Sequence, residues 1–110
     1  MEELFSEERG KYALLAEAID IETLAIIITA ARSIEADKDR FGNTIQGSKK
    51  KKIVAYLESM RLSAVQKHML LGALGYRNTN AQDKVQAYVN TLSLSSDEKQ
   101  MLMKYSGYAA

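Results

Sequence analysis

The fold is decided by two stretches that repeat one pattern: KIVAYLESMRLSAVQKHMLLGALGYR at residues 52–77 and KVQAYVNTLSLSSDEKQMLMKYSGYA at residues 84–109. They align without gaps at an offset of 32. They share ten identical positions: Lys52/Lys84, Ala55/Ala87, Tyr56/Tyr88, Leu62/Leu94, Ser63/Ser95, Lys67/Lys99, Met69/Met101, Leu70/Leu102, Gly75/Gly107 and Tyr76/Tyr108. A period in this range is typical of arrays of helix pairs. The sequence therefore predicts a tandem duplication of one helical hairpin.

Each unit has the pattern of two short helices joined by a tight turn. In the first helix, apolar residues spaced i, i+3, i+4 and i+7 form one stripe: Ile53, Tyr56, Leu57 and Met60. The second helix is predicted to begin at a capping box, in which a serine hydroxyl and the side chain three residues later each satisfy a backbone N–H. The two boxes are Ser63 with Gln66 and Ser95 with Glu98.

Glycines are predicted to end the second helix of each unit. Gly75 and Gly107 follow the last apolar positions, where a left-handed residue closes a helix without a Cβ penalty. Because tyrosines recur at repeat positions, we interpret them as structural, each packing its ring into a hairpin and turning its hydroxyl to solvent or to a carbonyl: Tyr56, Tyr76, Tyr88 and Tyr108. Tyr105 lies outside the repeat, and with Met101 and Met103 it is a candidate contact surface.

The N-terminal half has a different pattern. Ser6 is predicted to cap a first helix that runs to about Ile19, and Asp20 to cap a second. The second helix is apolar over much of its circumference, which is typical of a helix at the centre of a bundle. We therefore predict an all-α, compact bundle of about six short helices in a single domain, residues 1–110. Its parts are N-terminal helices at 1–36, a polar loop at 37–48, and hairpins at 49–77 and 83–109.

Composition excludes several classes of protein. The chain has 46% hydrophobic and 26% charged residues, which is the balance of an ordinary globular domain. The absence of cysteine excludes disulfides, thiolate zinc sites and a cysteine nucleophile. The longest strongly apolar stretch, 24–28, is too short to cross a membrane, and the acidic start MEELFSEERGK does not resemble an export signal. We expect a soluble chain in the host cytoplasm or a virion, with no membrane partner.

The charge is unevenly distributed. Residues 1–47 hold ten acids and five bases, whereas residues 48–110 hold ten bases and four acids, so the formal charges are −5 and +6. Such asymmetry is found in proteins with a nucleic-acid face. It is equally consistent with two halves that attract one another, which we favour because the net charge is only +1.

Catalytic and metal chemistry have little support. His68 is the only histidine, and its counterpart in the repeat is Gln100, so we predict neither a catalytic relay nor a metal ligand there. Asp37, Asp39 and Gly42 are spaced like the start of a calcium loop. The motif's fifth and twelfth positions, however, are Phe41 and Ser48 rather than oxygen-rich ligands. We therefore predict no catalytic residue, cofactor or metal.

Nucleic-acid motifs are equally sparse. Two helices joined by a tight turn are also the arrangement of a DNA-binding helix-turn-helix. The candidate recognition helix, residues 64–74, offers only Gln66, Lys67 and His68 to read base edges, which does not support sequence-specific DNA recognition.

Lys49, Lys50, Lys51 and Lys52 are the sharpest charge feature. Ser48 is predicted to cap the helix that they open, which places four ammonium groups at the positive end of the helix dipole. Either an anion lies there or the lysines pair with Asp37 and Asp39. These four lysines are therefore a candidate interaction or anion-binding site, although a short lysine run is more often a solvated face.

The stretch DKDRFGNTIQGSKKKKIVAYLESMRLSAVQKHMLL resembles helical C-terminal repeat segments of large phage and prophage proteins of Gram-positive bacteria, many of them tail or tape-measure-like. The resemblance spans residues 35–108. It rests on Ile45, Gly47, Ser48 and Lys50 to Lys52, on Tyr56-Leu57, and on the boxes Leu62-Ser63 to Lys67 and Leu94-Ser95 to Lys99. Phe41 departs from it, since such loops often carry an acid there. The resemblance implies no catalytic residues.

These observations favour a non-enzymatic protein–protein interaction or structural module of phage or prophage type. Two alternatives remain open. One is a small phage-encoded inhibitor of a host defence or nucleic-acid enzyme, in which the acidic N-terminal half mimics phosphate. The other is nonspecific nucleic-acid binding through Lys49 to Lys52, which would weaken steeply with salt.

Overall fold

The computed structural model describes residues 12–108, and over this range the chain folds into a compact all-helical bundle. Helix α1 covers residues 12–18. It is followed by α2 (Ile21–Ser33), α3 (Ser48–Glu58), α4 (Ala64–Ala73), a short 3-10 turn (Thr79–Ala81), α5 (Gln82–Asn90) and α6 (Ser96–Tyr105). The predicted all-α bundle of about six short helices is confirmed. The predicted cap at Ser6 lies outside the described residues.

The helix starts follow the local sequence. The Ser63 hydroxyl accepts from the Gln66 N–H at 3.2 Å, and the Gln66 side chain accepts from the Ser63 N–H at 3.0 Å. Ser95 and Glu98 make the same pair of bonds, each at 3.1 Å. Asp20 caps α2 by accepting from the Thr23 N–H. Both predicted capping boxes and the Asp20 cap are therefore confirmed.

The helix ends also match between the two hairpins. Gly75 and Gly107 have φ of 97° and 86°, and the tyrosine after each donates its N–H back to a carbonyl in the last turn. These bonds run from Tyr76 to Leu71 at 2.7 Å and from Tyr108 to Met103 at 2.8 Å. A left-handed glycine followed by a bond of this span is the Schellman arrangement, which satisfies carbonyls that the helix leaves unpaired.

Helix α2 does not lie at the centre of the bundle. Helix α5 packs against both α4 and α6, and its Val85 and Val89 are fully buried. By contrast, α2 buries one stripe, made of Leu24, Ile27 and Ala31, and leaves half of Ile26 exposed. The prediction of a central α2 was therefore wrong. Its apolar circumference exceeds the face that the neighbouring helices cover, so Ile21 and Ile26 face solvent.

The two hairpins meet at a contact that only glycine permits. The α-carbon of Gly72 in α4 lies against the end of α6, where an added Cβ would stand 1.9 Å from the Ser106 carbonyl oxygen. The equivalent position in the second hairpin is Lys104, which is exposed. The first hairpin therefore contacts the second through the helix face that carries Gly72. At the equivalent position, the second hairpin has the exposed, charged side chain of Lys104.

Tyr108 closes this contact. Its buried hydroxyl donates to the His68 carbonyl at 3.2 Å and accepts from the Asn78 N–H at 3.1 Å. The Tyr88 hydroxyl likewise donates to the Ala18 carbonyl. Both tyrosines place their hydroxyls on carbonyls, as predicted.

Candidate functional site

Residues 37–45 form a miniature hairpin rather than a loose linker. An antiparallel bridge joins Lys38 and Thr44, and the Asp39 N–H donates to the Asn43 carbonyl at 2.9 Å. At the tip, the Asp39 carboxylate accepts from the N–H groups of Phe41 and Asn43, each at 2.9 Å. Gly42 completes the turn with φ of 81°. Backbone bonds therefore fix the direction in which the tip residues project.

Ser48 joins this hairpin to α3. Its hydroxyl donates to the Ile45 carbonyl and accepts from the Asp37 N–H, both at 2.8 Å. The cap position is instead Gly47, with φ of 82° and no side-chain cap bond. The prediction that Ser48 caps α3 was therefore wrong, because its hydroxyl already serves a backbone group eleven residues earlier. We call residues 37–52, from the hairpin through the first turn of α3, the hairpin–α3 surface.

Both acidic side chains of this surface already have partners. Asp37 pairs with the Lys52 ammonium at 2.6 Å, while Asp39 holds the turn. Across residues 12–108, the structure brings together no group of three or more side chains of the types that bind metals. This arrangement gives no support to the calcium-loop alternative.

The four lysines divide into two kinds. Lys52 is bound to the hairpin, since its ammonium contacts both the Asp37 carboxylate and the Glu35 carbonyl, the latter at 3.0 Å. Lys49, Lys50 and Lys51 are exposed and have no ion pair or hydrogen bond with residues 12–108. Of the two explanations offered for the lysine run, pairing with Asp37 holds for Lys52 alone. Within the described part of the chain, three cations are therefore left without a partner at the unfavourable end of a helix dipole.

Phe41 was not predicted from the sequence to be a functional residue. It stands at the hairpin tip with 74% of its surface exposed, and the Arg40 guanidinium lies 4.9 Å from the centre of its ring. Ile45, at the base of the hairpin, is also exposed. The sequence did contain one sign of this exposure, namely an aromatic residue in an otherwise polar turn, between Asp39 and Gly42. Because that turn has no helical apolar stripe, helix packing was not expected to bury the ring.

The second predicted group lies on α6. Met101 is 44% exposed and Tyr105 is half-buried, so both are accessible. Met103 is only 5% exposed and forms part of the core, and it is one of the residues that line a groove between α5 and α6. An exposed apolar patch can therefore include Met101 and Tyr105 but not Met103.

His68 has no catalytic neighbourhood within the described residues. Its side chain is half-buried, its Nδ1 atom is enclosed without a hydrogen-bond partner, and it contacts no serine hydroxyl or carboxylate through a hydrogen bond. Its repeat counterpart, Gln100, is exposed. The two positions thus differ in burial, although neither belongs to a cluster of reactive groups.

Two further findings concern membrane spans and similarity to known proteins. Among residues 12–108, none of the helices has the length and apolar character needed to span a membrane. Comparison of the chain with protein-family models, with curated proteins and with solved structures finds no match in any of the three.

Proposed function

We propose that this chain is a non-enzymatic interaction module that binds a macromolecular partner on the hairpin–α3 surface. The observation that carries the proposal is the exposure of Phe41 on a turn whose backbone is held by hydrogen bonds. An aromatic side chain left in solvent gives up the free energy of burial that the core would provide. A binding partner that covers the ring would recover that free energy of burial.

The rigidity of the hairpin supports this proposal. Ser48 fastens the base of the hairpin and Asp39 fastens its tip, so the chain loses little conformational freedom when a partner binds. Pre-organised surfaces bind more tightly for that reason. The free lysines beside the hairpin point to a partner that carries negative charge.

The biological setting remains the one that the sequence resemblance implies, a protein encoded by a phage or prophage. A structural or interaction role in such an assembly needs no reaction chemistry. A protein partner and a nucleic acid are both compatible with a surface that combines an aromatic side chain and cations.

A matched pair of variants tests the proposal. Phe41→Ala removes the exposed ring of the hairpin tip, whereas Ile26→Ala removes a half-exposed apolar side chain from α2. Both should keep the circular dichroism spectrum of the parent. We expect partners captured by the parent chain from an infected-cell lysate to be lost with Phe41→Ala and kept with Ile26→Ala. Equal capture by the two variants would remove the hairpin–α3 surface as the binding site.

A further inference from the structure

We propose that the hairpin–α3 surface binds single-stranded nucleic acid, with a base stacked on Phe41 and phosphates against Lys49, Lys50 and Lys51. This inference rests on the proposed function, because it names the partner of the same surface. The proposed site includes the aromatic ring of Phe41 as well as lysines. It excludes Lys52, whose ammonium is already paired with Asp37. It predicts little dependence on base sequence.

The hairpin–α3 surface is strongly basic. Residues 37–52 contain six basic and two acidic side chains, a formal net charge of +4. Both acids are occupied, Asp37 by Lys52 and Asp39 by backbone N–H groups. The remaining basic side chains are all exposed: Lys38, Arg40, Lys49, Lys50 and Lys51. A surface with this many exposed cations attracts a polyanion.

The type of cation distinguishes a nucleic acid from an acidic protein. Lysine is depleted at the centre of protein–protein interfaces, because its ammonium group is strongly hydrated and costly to bury. A phosphate backbone does not require that burial, since its binding is driven largely by release of condensed counterions. Three consecutive exposed lysines therefore fit a phosphate chain better than a protein face.

The position of Phe41 distinguishes a single strand from a duplex. The ring projects from the tip of a tight turn, and its open surface is available to a flat group. In a duplex the bases are already stacked on one another, so an aromatic side chain reaches them only by unstacking a step. In a single strand the bases are free to stack on aromatic rings. The Arg40 guanidinium lies over the Phe41 ring, so a base would stack on the part of the ring that Arg40 leaves open, with that cation next to the same strand.

The two parts of the surface are adjacent. A groove of roughly 650 Å³ runs between the hairpin base and the first turns of α3, lined by Ile45, Gly47, Lys51 and Ala55. It connects the hairpin that carries Phe41 to the helix that carries the lysines. Of the proposed contacts, Lys51 lines the groove, while Phe41, Lys49 and Lys50 lie on the two elements that flank it.

The experiment measures binding of the full chain to a fluorescent oligothymidylate of about 20 nucleotides by anisotropy, over about 50 to 200 mM salt. We expect the affinity to fall about 10- to 100-fold across that range, as expected for three to five phosphate contacts with a single strand. A duplex of the same length should bind more weakly. Absence of binding at the lowest salt, or equal binding to the duplex, would overturn the inference.

Matched variants locate the site. Lys49→Gln combined with Lys51→Gln should weaken binding about tenfold and flatten the salt dependence. The control combines Lys84→Gln with Lys104→Gln, which removes the same charge from exposed positions elsewhere and should have little effect. Phe41→Ala should weaken binding about tenfold without changing the salt dependence, since stacking releases no counterions. Equal losses with both lysine pairs would contradict the proposed site.

The outcomes also separate this inference from the proposed function. If the oligonucleotide does not bind but protein capture still depends on Phe41, the partner is an acidic protein and only the present inference fails. If Phe41→Ala affects neither assay, both fail.

Discussion

The hydroxyl of Tyr88 donates a hydrogen bond of 2.7 Å to the carbonyl oxygen of Ala18, the last helical residue of α1. The Gln66 side-chain amide donates to the same oxygen at 3.0 Å. Carbonyls at the end of a helix have no partner within the helix. Here one such carbonyl is satisfied by side chains from both hairpins, which ties the N-terminal helices to the repeat.

Removal of the Tyr88 hydroxyl tests this link. Tyr88→Phe should lower the free energy of unfolding by about 1 kcal/mol, the usual contribution of one hydrogen bond. Its repeat counterpart Tyr56 has no hydroxyl partner among residues 12–108, so Tyr56→Phe should change stability by less than about 0.5 kcal/mol. Urea unfolding measures both, and equal effects would show that the bond to Ala18 contributes nothing.

The contact between the hairpins is tested at Gly72. Gly72→Ala should destabilise the fold by about 1–3 kcal/mol, because the added methyl group meets the Ser106 carbonyl oxygen. Alanine is otherwise the better helix former, so a stabilised variant would contradict the observed packing. Lys104→Ala, at the equivalent exposed position of α6, should have little effect. Thermal unfolding of the two variants gives the comparison.

The two capping boxes are expected to differ in their response to acid. Glu98 has its pKa lowered below its ordinary value of 4.5, because its carboxylate accepts a hydrogen bond from the Ser95 backbone and a second from the Ser95 hydroxyl. A carboxylate whose pKa is lowered by folding stabilises the fold above its unfolded pKa, and this contribution is lost as the pH falls through the folded pKa. The box of Ser63 contains neutral Gln66 and lacks this dependence.

Glu98→Gln therefore isolates the pH effect. The stability difference between the parent and this variant should be constant near neutral pH and should shrink once the pH falls below about 4.5. Unfolding in urea at a series of pH values measures it. A difference that stays constant down to about pH 3 would mean that the charge of Glu98 has no role in the cap.

The shape of the hairpin–α3 surface depends on Ser48. Ser48→Ala should speed hydrogen exchange at the Asp37 amide and lower stability by about 1 kcal/mol, because that partly buried N–H loses its acceptor. Ser59→Ala, which removes an exposed hydroxyl bonded to the Tyr56 carbonyl, is the control and should leave exchange at Asp37 unchanged. Unaltered exchange in Ser48→Ala would show that the hairpin does not rely on this hydroxyl.

Local features of the fold were predictable from the sequence. Ser63, Ser95 and Asp20 act on groups three residues away, and Gly75 and Gly107 act through their own backbone angles. Interactions of this range are present in the sequence pattern itself. The helix class and the two capping boxes therefore followed from spacing and residue type.

Features that depend on distant residues were not predictable in the same way. Serine is a common helix cap, but the Ser48 hydroxyl accepts a hydrogen bond from the Asp37 N–H instead. The glycine at position 72 is explained only by its close contact with Ser106. Nor could the hydrophobic pattern of α2 show which of its isoleucines the other helices would leave exposed.

The four consecutive lysines show most clearly the difference between local features and features that depend on distant residues. The run is four identical residues, yet Lys52 is held by Asp37 and Glu35, while Lys49, Lys50 and Lys51 have no partner among residues 12–108. The sequence by itself determined where the positive charge lies. Only the tertiary structure decided which cations are neutralised and that Phe41 stands exposed in the same surface, because both depend on how the hairpin folds back against α3.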